Sequence, residues 1–118
     1  MTDVSDRPWT GLTKASYPTA NEYCAACVID KNASGQPRRK SHCKLPVYEP
    51  QGLGGRLNRH AVHAAANRLV RSRGGVEVSA AIKRAAAQRL MELYAEIGEL
   101  PPSSLRAVAG VNAAELAL

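Results

Sequence analysis

Two stretches of this 118-residue chain repeat apolar side chains at the intervals of an amphipathic helix, and a glycine pair lies between them. In the first, Asn58 is a good N-cap, and Val62, Ala65, Ala66, Leu69 and Val70 recur at offsets of three, four, seven and eight. Gly74 and Gly75 end it. In the second, Ser79 is the cap of a stripe made by Ile82, Ala86, Leu90, Leu93 and Ile97. Gly98 falls at the C′ position and Pro101–Pro102 follow, a complete stop signal. The connection is short, so the spacing predicts an antiparallel helical hairpin, and alanines on both stripes permit a close approach. The fold expected is mainly α.

The remainder is organised around that hairpin. Residues 1–18 contain Pro8, Gly11 and Pro18 with scattered Trp9, Leu12 and Tyr17 and no helical or strand period, which reads as an extended arm. Thr19 and Glu22 fit a capping box, so a short helix is predicted over 20–28, ahead of hairpin helices at about 59–72 and 80–97. The polar run Asp30 to Ser41 reads as an exposed basic loop, and Cys43 to Tyr48 as at most a short edge strand, since Pro46 excludes a central one. Residues 19–105 then form one helical domain. The tail 106–118 is apolar, and one or two short helices capped by Ser103 and Asn112 would pack on the hairpin or on a partner.

Composition narrows the function. Aromatics are only 4% of the chain, with no Phe, so the core is built from Ala, Leu, Val and Ile and a deep substrate pocket is not expected. No apolar run approaches the ~20 residues of a membrane span, and the N-terminus has no apolar h-region of a signal peptide. Three cysteines argue against a disulfide scaffold and for a reducing compartment. The net charge is +6, and Lys31 to Val76 holds ten basic residues against one acid, Glu49. Such a middle suits a polyanion or an acidic face on a protein.

Three kinds of site follow from the residues. A basic face is expected from Arg56, His60, His63 and Arg71, spaced along one side of the first hairpin helix with Asn67, and joined by Arg38, Arg39 and Lys40. It reads as a solvated or protein-contacting face ahead of a nucleic-acid reader, because no stacking aromatics accompany it. Cys24, Cys27 and Cys43 with His42 offer a zinc set, but only one pair has motif spacing. The reading ahead of it makes the cysteines small buried hydrophobes, with no cofactor and no metal. Docking side chains are expected in the arm and tail: Trp9, Leu12, Tyr17, Leu105, Val108, Val111 and Leu116. No nucleophile or carboxylate pair is placed beside the histidines, and Gly52 to Gly55 lacks the lysine of a phosphate loop, so the chain is not expected to be an enzyme.

Several stretches are familiar in combination: Trp9, Cys27-Val-Ile, Lys44-Leu-Pro-Val-x-Glu-Pro, Leu57-Asn-Arg-x-Ala-Val-His-Ala-Ala-Ala, Leu69 through Arg73-Gly-Gly-Val, and Leu90-x-x-Leu-Tyr-x-Glu-x-Gly-Glu-x-Pro-Pro-x-Ser-Leu105. Together they resemble a small module of tailed-bacteriophage head proteins, found alone or joined to prohead-protease or capsid-related chains. The resemblance covers about Trp9 to Leu105; that module often has Tyr where this chain has Cys43, and no catalytic residues carry over. It implies a virion structural protein, a minor capsid or decoration (cement) protein on the major capsid protein lattice, made in the bacterial host cytoplasm. Contacts with other copies around symmetry axes are compatible with this. The alternatives are a DNA-binding protein using the basic middle and a head-assembly accessory associated with scaffold or protease; no membrane partner is expected.

Overall fold

The computed structural model describes residues 3–10, 12–33, 35–71 and 78–110. Four helices pack with two small two-stranded sheets, so the architecture is mixed where a mainly helical one was expected. In chain order the elements are β1 (Val4–Ser5), α1 (Ala20–Ala26), β2 (Cys27–Asp30), β3 (Cys43–Pro46), β4 (Leu57–Asn58), α2 (Arg59–Val70), α3 (Ala80–Glu96) and α4 (Ser103–Ala109).

The hairpin helices form where their caps and stripes place them. Asn58 Oδ1 accepts the Ala61 N–H at 2.9 Å, and Ser79 Oγ accepts that of Ile82 at 3.2 Å. Val62, Ala65, Ala66 and Leu69 of α2 are buried against Ala86, Ala87, Leu90 and Leu93 of α3 in one apolar cluster. At the end of α3, Gly98 takes φ +76° and donates to Ala95 O, while Glu99 N donates to Tyr94 O. This is a Schellman stop, and only glycine adopts that φ without strain. The Gly74–Gly75 link lies outside the described residues.

Three expectations about the flanking segments need correction. The first helix ends at Ala26 instead of 28: Cys27 turns extended and the chain continues as β2, antiparallel to β3 with Ile29 opposite Lys44 and Asp30 opposite Cys43. A pattern of Cys27, Val28 and Ile29 fits a strand as well as a last helical turn, and tertiary pairing decides for the strand. Only half of the predicted capping box forms. Thr19 Oγ1 accepts the Glu22 N–H, but the Glu22 carboxylate accepts from Gln51 N instead of reaching back. The extended arm lies against the body: Val4 and Ser5 run parallel to Leu57 and Asn58, and Tyr17 is 1% exposed. Finally, Ser103 is not a cap but the first residue of α4, whose Leu105 and Ala109 are buried on α3; Asn112 lies outside the described residues.

Asn58 ties these parts together. Its Nδ2 donates to Arg7 O at 2.9 Å and to Glu49 Oε2 at 2.8 Å, so one amide caps α2, holds the arm and supplies a donor to one oxygen of a carboxylate with no exposed side-chain surface, whose Oε1 has no hydrogen-bond partner among the described residues. A second apolar cluster of Tyr17, Tyr23, Cys24, Ala26 and Cys43 lies beside the main one. Tyr17 and Tyr23 meet edge to face at 5.1 Å, so half of the four tyrosines sit in this small cluster. Replacing Asn58 by Ala removes the cap and leaves Glu49 without its amide donor. The expected loss is about 3 kcal/mol of unfolding free energy in urea titration.

Candidate functional site

The surface beside the second cluster brings together Trp9, Leu12 and Tyr17 of the arm. Between the arm and α2 lies a trough of about 310 Å³, lined by Trp9, Leu12, Tyr17, Leu45, Ala65 and Arg68 among others. Trp9 and Leu12 are half-buried, so each shows part of an apolar face to solvent. Besides the Asn58 bond to Arg7 O, the β1–β4 pairing holds the arm to the body, as does Arg59, whose Nε donates to Asp6 Oδ1 at 2.7 Å. Lys14 and Arg68 also line this trough.

Not every expected docking side chain lies at such a surface. Trp9 and Leu12 do. Tyr17 closes the floor of the trough from inside the core, its hydroxyl donating to Tyr48 O at 2.6 Å, and burial pushes that phenol well above its ordinary pKa. Leu105 is fully buried on α3, so it holds the fold together and offers nothing to a partner. Val108 is half-buried against the same core. Val111 and Leu116 lie outside the described residues.

The three cysteines part company. Cys24 of α1 and Cys43 of β3 form a disulfide, which corrects the expectation of reduced thiols and removes Cys24, Cys27, Cys43 and His42 as a zinc set in this state. The odd count was no obstacle, because Cys27 is the one left over. Burial pushes its thiol up to about 12, making it an unreactive side chain packed on Tyr23. Asn32 lies against the disulfide, with Nδ2 at 3.2 Å from Cys43 Sγ and 3.5 Å from Cys24 Sγ. The same amide donates to Asp30 Oδ1 at 2.7 Å, and Asn32 Oδ1 accepts the Arg39 N–H at 2.8 Å. Cys24, Asp30 and Cys43 bring three ligand atoms within 4.8 Å of one another.

The basic residues do not make one face. Arg38 pairs with Asp30 at 3.6 Å, and Lys40 Nζ donates to the carbonyls of Lys14 and Tyr17, pinning the loop to the arm. Arg56 precedes β4 and pairs with Asp3 at 3.5 Å. His60 is exposed, and Arg71 is exposed just beyond the end of α2. His63 turns toward α3, stacked on Tyr94 at 5.8 Å with Nε2 at 2.8 Å from Glu99 Oε1. Arg38, Lys40, Arg56 and His63 are thus drawn to separate contacts, because the helical wheel says nothing of what packs beside it.

Two carboxylates were given no role from the sequence. Glu99 joins His63 and Arg59, whose Nη1 donates to Glu99 Oε2 and to Ile97 O. The Arg59 hydrogen bond, with His63 adding to it, holds the Glu99 carboxyl below its ordinary range. Its place directly after Gly98, facing a basic α2, was the only available signal. Glu49 is buried on Asn58, and the lone acid in a basic stretch marked it, though not its burial.

Compared with known protein families, curated proteins and solved structures, the chain matches none.

Two outcomes are expected. A lowered carboxyl pKa contributes stability that is present above the unfolded value and lost as pH falls through the folded one. Urea midpoints of wild type and Glu99→Gln measured below and above about pH 4 therefore converge at the acid end and separate toward neutrality. Separately, Cys24→Ser with Cys43→Ser, in the absence of metal, lowers stability by about 3 kcal/mol, the scale for a crosslink closing a loop of this size; the wild type matches it after reduction.

Proposed function

We propose that this chain is a non-enzymatic virion structural protein of a tailed bacteriophage, a minor capsid or decoration protein that docks on the major capsid protein lattice. The observation that carries the reading is the trough beside the arm. Its half-buried Trp9 and Leu12 are presented by a segment already held in place by β4 and Arg59, so little ordering remains to oppose docking. A tryptophan on a preorganised apolar surface with a cationic rim is the anchor type that protein interfaces favour. Leu100, 87% exposed, and Leu53 add apolar contacts elsewhere on the chain. Many copies on a symmetric shell turn such modest contacts into strong retention. The disulfide supports the same setting, since particles released from a cell meet oxidising surroundings.

The rival DNA-binding reading draws on the +6 charge. The dispersal of Arg38, Arg56 and Arg59 into ion pairs favours the docking reading over it.

In purified particles the protein is expected at a fixed ratio to the major capsid protein. Trp9→Ala is expected to reduce that ratio severalfold while leaving the urea midpoint of the free chain near wild type. Absence from particles, or salt-sensitive DNA binding by the isolated chain with no affinity for shells, refutes the proposal.

A further inference from the structure

We propose that the Cys24–Cys43 pair, once reduced, forms with Asp30 a zinc site, so that the join between α1, β2 and β3 is held either by the disulfide or by the metal. The inference is independent of the docking role. It begins with register: β2 and β3 set Asp30 opposite Cys43, and α1 brings Cys24 to the same point, so two sulfurs and a carboxylate oxygen lie within 4.8 Å of one another. These are zinc donors, and three protein ligands with water in the fourth position make an open tetrahedral site. Spacing alone pairs Cys24 with Cys27; the fold replaces Cys27 by Asp30.

The second observation is what already occupies the spot. A single amide nitrogen, Asn32 Nδ2, is surrounded by four acceptors: Asp30 Oδ1 at 2.7 Å, Cys43 Sγ at 3.2 Å, Arg39 O at 3.4 Å and Cys24 Sγ at 3.5 Å. The amide NH2 has two protons, and the Asn32 backbone N–H adds one more on Asp30 Oδ1 at 2.9 Å, so the cage still holds more lone pairs than these donors satisfy. Such a cage suits a cation. Its members sit farther from the nitrogen than the 2.0–2.3 Å or so of zinc bonds, so they must close in as Asn32 swings out. The Cα atoms of Cys24 and Cys43 are 5.4 Å apart, which lets side-chain rotation set the sulfurs about 3.8 Å from each other, as two zinc-bound thiolates require. Asp30 is exposed, giving the ion a way in, and its pairing with Arg38 at 3.6 Å has to be given up.

The step balances. A dithiol gives two electrons and two protons to the Cys24–Cys43 bond and is itself oxidised to a disulfide. Zinc then binds both cysteines as thiolates and releases the two protons.

The test uses the full chain, air-oxidised or reduced with a phosphine that offers zinc no thiol, incubated with Zn²⁺ alone and freed of excess before metal analysis. One equivalent is expected on the reduced chain and almost none on the oxidised one. Asp30→Asn is expected to weaken zinc binding at least about tenfold, and Cys27→Ala to leave it within about twofold. Co²⁺ in place of zinc is expected to show the thiolate charge-transfer band only in the reduced chain. If reduction alone costs the chain its helical circular dichroism, zinc is expected to restore it. A reduced chain that takes up no zinc, a spectrum zinc fails to restore, equal affinity in Asp30→Asn, or loss of binding in Cys27→Ala each overturns the proposal.

Discussion

The amide of Asn58 is the contact on which the rest of the structure depends. Its oxygen starts α2, and its nitrogen divides between the arm and the Glu49 carboxylate. A charge without exposed surface is tolerable only with donors in place, and here Asn58 supplies the short one while Arg7 stands at 3.9 Å. The segment carrying Glu49 also pairs its backbone with that of Asn58's strand: Glu49 N donates to Arg56 O, and Asn58 N to Val47 O. Helix start, arm and the turn from Glu49 to Arg56 are thus fixed by one neighbourhood of hydrogen bonds, and the trough inherits its shape from it.

Around that neighbourhood, charge serves the fold more than any partner. Arg59 illustrates this: a residue on the first turn of α2 reaches Asp6 of the arm and Glu99 beyond α3, so three distant stretches share one guanidinium. The planar fork of arginine makes such sharing possible, where lysine would meet a single partner well. The trough itself is lined by Trp9 and Leu12, with Lys14 and Arg68 along it.

The sequence made α2 and α3 legible because their information is local. Val62 to Val70 and Ile82 to Ile97 repeat over several turns, and Asn58, Ser79 and Gly98 mark the ends. The strands were hidden because two-residue pairings such as β1–β4 carry no period, and because Cys27 to Ile29 satisfies helix and strand alike. Leu45 is a clear case, since a buried leucine at φ +63° is chosen by its surroundings against its own preference. The candidate site was half visible. Trp9 and Leu12 stood out as apolar residues in an aperiodic arm, whereas Tyr17 looked the same and is core. Counting cysteines could not reveal the Cys24–Cys43 bond, because nothing short of the β2–β3 register brings position 43 to α1.

The parallel pairing of Val4–Ser5 with Leu57–Asn58 has a kinetic consequence. The first strand of the chain has no partner until a segment some fifty residues later has been synthesised and brought back, so the arm is among the last parts to settle. α2 and α3 need only neighbours close in sequence and assemble early; the entropy of closing the long intervening loop is met afterwards. The face bearing Trp9 is therefore completed late, on a helical scaffold that is already standing.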